Sequence, residues 1–132
     1  MKSKKNNTLS FLNDKKVKEL DKLLNIISYL RDPNKGCPWD IKQTFKSIAP
    51  YTIEEAYEVN QSIQDENYNE LKDELGDLLL QVVFLSQIAQ ENKLFKFNDV
   101  VESIKNKLIR RHPHIFEKNT SIKTPDDVKN EW

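Results

Sequence analysis

Residues 73–88 read Asp73-Glu74-Leu75-Gly76-Asp77-Leu78-Leu79-Leu80-Gln81-Val82-Val83-Phe84-Leu85-Ser86-Gln87-Ile88. From Leu78 to Ile88 the apolar side chains point almost all round a helical wheel, the pattern of a helix enclosed by others. This helix should therefore lie at the centre of a bundle. Just ahead of it, Glu74 and Asp77 stand three residues apart and share one face. Asp77 interrupts a run of leucines, where an unpaired carboxylate is costly to desolvate, so it needs a partner. Upstream, across the fifteen residues 59–73, lies a second acidic cluster, Glu54-Glu55-Ala56-Tyr57-Glu58. Glu55 and Glu58 share a face there by the same spacing. On adjacent antiparallel helices the two pairs would converge, and like charges so placed are held by a cation. Donors that are all oxygen suit Mg2+ or Mn2+. Two plainer readings compete: a solvated acidic face for the first cluster alone, and a rival pair, Glu70 with Asp73, one turn earlier in a more polar stretch.

Outward from this centre, nearly every periodic stretch predicts helix. Val17, Leu20, Leu23, Leu24, Ile27 and Leu30 keep three-and-four spacing, with Asn13 or Asp14 as the cap and Asp32-Pro33 as the stop. A loop is expected over residues 32–40. Pro50 is expected to open the next helix, with Ile53, Ala56, Val59 and Ile63 on its apolar side and its end near Asp65. Asn67 followed by Glu70 resembles a capping box for a long helix to about Gln90. Asn98 or Asp99 should start a helix carrying Val101, Ile104 and Leu108 that stops before Pro113. Thr124-Pro125-Asp126-Asp127 is a further start signal, and the chain reaches Trp132 with this helix hardly begun. Strand alternation and internal repeats are not seen. The fold class expected is all-α, an antiparallel helical bundle with residues 1–13 as a basic tail and 14–132 as one domain.

Length and composition bound the rest. The 132 residues are 37% hydrophobic, enough for a small core that homodimerisation would complete. A single cysteine, Cys37, excludes an intrachain disulfide. No apolar run approaches the roughly 20 residues that cross a bilayer, and the basic start lacks a signal-peptide core, so a cytoplasmic location is expected. The net charge of zero hides segregation: nine acids against Lys72 alone from Glu54 to Asp77, then Lys105, Lys107, Arg110, Arg111, His112 and His114 with no acid from 105 to 114. Cations beside the first segment and anions beside the second describe a metal-bound polyphosphate. The basic segment is short and amphipathic, which fits phosphate contact in a site better than a nucleic-acid duplex.

Four strings in order, Gly36-Cys37-Pro38-Trp39-Asp40, Glu54-Glu55-Ala56-Tyr57-Glu58, residues 73–84, and Lys107-Leu108-Ile109-Arg110-Arg111-His112-Pro113-His114-Ile115-Phe116, resemble the MazG-type nucleoside triphosphate pyrophosphohydrolases. The resemblance spans roughly residues 20 to 132. It implies an all-α domain that dimerises, binds Mg2+ and cleaves NTPs or dNTPs between the α and β phosphates to NMP and pyrophosphate. It implies Glu55, Glu58, Glu74 and Asp77 as metal ligands, Lys107 and Arg111 as triphosphate contacts, and Trp132 as a substrate-contacting tryptophan. Many proteins of this kind carry two such domains in tandem, whereas this sequence holds one, as a short natural form or a fragment would.

The residue chemistry suits that reading independently. Lys107, Arg110 and Arg111 match the charge of departing pyrophosphate, arginine through paired donors. Glu54 points about 100° from Glu55 on an ideal helix, outside the ligand set, and is assigned to orienting or deprotonating the attacking water. Trp39, Phe45, Tyr51 and Phe84 are read as core residues with base stacking as the alternative, Trp39 being retained as a substrate-binding candidate. His112 and His114 flank Pro113 and are read as helix-terminating rather than metal-binding. A narrower dCTP, dUTP or phosphoribosyl-ATP pyrophosphohydrolase, or a non-catalytic metal-binding helical module, are the alternatives.

Overall fold

The computed structural model describes residues 9–117, 124–130 and 132, so most of the basic tail lies outside the described residues. After a 3-10 turn, Ser10–Asn13, come helices α1 (Glu19–Leu30), α2 (Pro38–Lys42), α3 (Phe45–Gln64), α4 (Tyr68–Glu91), α5 (Phe97–Arg111), α6 (Pro113–Phe116) and α7 (Pro125–Lys129). No strand occurs among the described residues, and no helix there is long and apolar enough to cross a membrane.

Helix α4 is the hub: it packs against α1, α3 and α5, most extensively against α3. Ile27 of α1, Ile48 of α3, and Val83, Phe84 and Ile88 of α4 form the buried core, flanked by Leu23, Leu24, Leu30, Leu80, Leu85 and Phe97. The α3–α4 connection is tight. Glu66 takes a left-handed φ of 54°, and Asn67 N–H then reaches the carbonyl of Ser62, the chain-reversing geometry of a helix C-terminus. The Asn67 side chain accepts from Glu70 N–H to start α4, as its sequence predicts.

Other helix starts differ from expectation. Asp14 is not a cap of α1; its carboxylate accepts from Lys16 N–H in a local turn, and α1 begins at Glu19. Pro50 sits inside α3, because Thr44 and Ser47 exchange reciprocal hydrogen bonds a turn and a half earlier and take over the start. The expected 32–40 loop contains the start of α2, with Pro38 in its first turn. Helix α5 starts one or two residues early, at Phe97, since the Asp99 carboxylate reaches back to Lys96 N–H. At α7 Thr124 and Asp127 cap each other as read, but the helix ends at Lys129, so Trp132 lies outside it.

The largest departure is the face α3 presents. Ile53 and Ile63, expected inside, are 61% and 50% exposed, and Ala56 is exposed too. Val59 is half-buried as expected, and turned inward with it are Ile48, Thr52, Glu55 and Ser62. Val101, Ile104 and Leu108 of α5 are also exposed.

Candidate active site

Because α3 and α4 run antiparallel from a tight turn, the middle of one lies beside the middle of the other. Glu55 on α3 meets Glu74 and Asp77 on α4, and one carboxylate oxygen from each falls within 4.8 Å of the other two. Glu55 is only partly buried as a residue, yet its Oε2 is sealed from solvent and has no hydrogen-bond partner. An orphaned buried oxygen of this kind costs free energy unless a proton or cation satisfies it.

Electrostatics describe the same crowding. Burial and the charge of Asp77 push the Glu55 carboxyl above its ordinary 4.5, against a hydrogen bond from Glu74 that lowers it. Burial, that hydrogen bond and the charges of Glu55, Glu58 and Asp77 raise Glu74 as well. Two ionised carboxylates this close repel strongly, and sharing a proton relieves the repulsion.

The other predicted residues fall around this trio. Glu58 is exposed and outside it, but its charge acts on both Glu55 and Glu74. Glu54 is exposed beside Glu55 and contributes charge to it. The rival pair dissolves, since Glu70 is engaged with Asn67 at the start of α4. Lys107 lines a groove of about 420 Å³ with Phe95, Asp99, Val100, Ser103 and Ile104. The Arg111 guanidinium lies 5.1 Å from the Trp132 ring centroid, a cation–π distance, and Arg110 is exposed. No ion pair joins Lys107, Arg110 or Arg111 to the acidic trio among the described residues.

Of the four aromatics read as core, only Phe84 is buried; Trp39 is 52% exposed and meets Tyr51 edge-to-face at 6.1 Å, while Phe45 is also exposed. His112 Nδ1 lies 2.6 Å from the Leu108 carbonyl, so it donates and closes the end of α5, the helix-terminating role expected. His114 Nδ1 is buried without a partner.

Arg31 was not singled out by sequence reasoning, having no spacing to mark it. It forks onto Glu91 through Nε (2.9 Å) and Nη2 (2.8 Å), donates from Nη1 to the carbonyls of Asp40 and Gln43, and lies over Phe84. Gln43 in turn donates to the Trp39 carbonyl and accepts from Ser47.

A domain with no strand among its described residues and with paired carboxylates on its two central antiparallel helices defines the class: an all-α domain with an acidic centre suited to a divalent cation. Residues 43–116 match the profile of the MazG nucleotide pyrophosphohydrolase domain, and the chain belongs to that family. Among its relatives are the nucleoside triphosphate pyrophosphohydrolase of Escherichia coli K12, 51% identical over 116 residues, or 88% of this chain and 44% of that protein, and the nucleoside triphosphate pyrophosphohydrolase/pyrophosphatase MazG of Thermotoga maritima, 48% identical over 83% of this chain and 43% of that protein. The nucleoside triphosphate pyrophosphohydrolase of Mycolicibacterium smegmatis is 33% identical over 73% of this chain and 30% of its own length. The chain thus spans less than half the length of the relatives it matches.

Proposed function

We propose that this chain is a nucleoside triphosphate pyrophosphohydrolase that hydrolyses NTPs or dNTPs at the α–β anhydride to NMP and pyrophosphate, with Mg2+ or Mn2+, as a cytoplasmic nucleotide-pool enzyme. The observation that carries the reading is the convergence of Glu55, Glu74 and Asp77 around a sealed, unpartnered Oε2. That donor set fits a hard divalent cation, with Glu58 completing it from the next turn of α3. Such an ion would neutralise the triphosphate against the carboxylates, polarise its phosphoryl oxygens and make a nearby water more acidic.

The chain's own residues do the rest. Glu54, beside Glu55 but turned about 100° away, takes the proton of the attacking water or orients it. Lys107, Arg110 and Arg111 hold the charge of the leaving pyrophosphate. Trp132, beside Arg111, contacts the substrate at that end, and exposed Trp39 contacts it from α2. A homodimer covers the apolar surface of α3 and α5. Duplex nucleic acid and membrane have no place in this reading.

Pyrophosphate release from mixed NTPs with Mg2+ tests the proposal. Wild type should release pyrophosphate, Glu58→Gln should not, and Glu54→Gln should bind Mn2+ normally while turning over about 10²-fold or more slower. Release no greater than the Glu58→Gln control refutes catalysis and favours a metal-binding helical module. Near-normal turnover by Glu54→Gln removes that residue's role. A panel of single nucleotides separates broad from narrow substrate choice.

A further inference from the structure

The seam between α3 and α4 selects one of two faces of α3, and between residues 52 and 63 most of the apolar side chains lie on the other. Ile53, Ala56 and Ile63 lie outward, while the inward face carries Thr52, Glu55 and Ser62 among its members. Turning α3 by about one residue's angle, 100°, would bring the isoleucines toward α4 and carry Glu55 out to solvent. Ile48, buried against α4 at one end of the helix, opposes this, and beside the carboxylates a contact in the seam must do so too. Ser62 does not, because its hydroxyl donates to the Glu58 carbonyl of its own helix and is satisfied at either setting. Ser86 does not either, donating to the Val82 carbonyl of α4.

Thr52 and Gln81 do. The Thr52 hydroxyl lies 3.3 Å from Gln81 Oε1 across the seam, and Gln81 is buried. Apart from the Glu55–Glu74 contact itself, this is the only side-chain hydrogen bond joining α3 to α4 among the described residues. Its position matters as much as its existence. Thr52 precedes Glu55 by three residues and Gln81 follows Asp77 by four, so the pair forms the layer directly between the carboxylates and the apolar core of Ile48, Val83 and Phe84. Rotating α3 would strand a buried amide oxygen without its donor, a penalty that hydrophobic contacts cannot replace.

We infer that Thr52 and Gln81 are a positioning pair that fixes the rotational setting of α3 on α4 and so aims Glu55 at Glu74 and Asp77. A polar pair in an otherwise apolar helix seam specifies one arrangement at some expense of stability. The consequence for ligand binding rests on the divalent-metal reading above. The pair touches neither metal nor substrate.

The test replaces both partners with apolar residues of similar size, Thr52→Val with Gln81→Met, and follows Mn2+ binding by electron paramagnetic resonance beside thermal unfolding by circular dichroism. The double variant should keep its helix content and a melting temperature equal to or above wild type, while Mn2+ affinity falls about tenfold or more, the scale on which residues supporting metal ligands act. Thr52→Ser, which keeps the hydroxyl, should bind Mn2+ within about twofold of wild type. If the double variant does not fold, Thr52→Val alone carries the test with the same expectation. Mn2+ binding by the folded apolar variant within about twofold of wild type overturns the inference. Wild type that binds no Mn2+ overturns the metal reading, and this inference with it; wild-type binding beside an unaffected variant overturns the inference alone.

Discussion

Glu55 and Glu74 occupy a position that resists holding two charges at once. Both carboxyls are raised above 4.5 in the folded chain, whereas in the unfolded chain they titrate at the ordinary value. Between those values the folded state binds more protons, so their contribution to stability is fully present below about 4.5 and is lost as pH rises through the raised values. The metal-free chain in EDTA should therefore show a falling melting temperature as pH climbs above about 4.5. Saturating Mg2+ should abolish the fall, and Glu74→Gln should flatten it. Glu91 and Asp32 act in the opposite sense, held low by Arg31 and by the Asn34 and Lys35 amides respectively. Their contributions disappear as pH falls below 4.5 for Glu91 and below 3.8 for Asp32, outside that window. A melting temperature that rises from pH 5 to 7 without metal would contradict this account of the trio. The spacing of Glu74 and Asp77 was readable directly, since three residues always share a helix face. That Glu55 meets them while Glu58 stands outside the trio was not readable, because it depends on how α3 is turned.

The long helices were legible, while the short α2 and α6 and most helix starts were not, and one cause accounts for most of the misplaced starts. A capping side chain competes with its neighbours, and Thr44 with Ser47 outbids Pro50 just as Asp99 reaches back to bring the start of α5 forward. The junction between elements shows the same limit more sharply. Arg31 ends α1, holds the carbonyls of Asp40 in α2 and of Gln43 in the α2–α3 link, and grips Glu91 at the end of α4. Its side chain is 8% exposed. Arg31→Ala should cost about 3 kcal/mol, the lower end for removing one partner of a buried pair because Glu91 is partly solvated. Urea unfolding measures it, and a loss under about 1 kcal/mol would show the knot to be ornamental.

The molecule as a whole leaves apolar surface on several helices at once. Ile53 and Ile63 on α3, Leu75 and Leu79 on α4, and Val101, Ile104 and Leu108 on α5 are all exposed. Surface of this extent on a 15.6 kDa chain fits a second copy, the homodimer of our proposal. Sedimentation at micromolar concentration should give twice the chain mass, and Ile53→Glu should shift it toward the monomer. A monomer mass for wild type would remove the dimer.

By itself the sequence determined an all-helical chain with α4 at its centre, the family, and a carboxylate pair one turn before an apolar core. The central place of α4 and the carboxylate pair are properties of spacing along one helix, which a 3.6-residue period fixes before any contact forms, while the family rested on the resemblance of four separate strings. The tertiary structure decided which stripe of α3 faces α4, and with it which carboxylates meet. Two faces of that helix were available, and the burial of Ile48, a cross-helix hydrogen bond and the set of the turn at Glu66 choose between them. Such a choice is a property of two surfaces together, which neither helix carries alone.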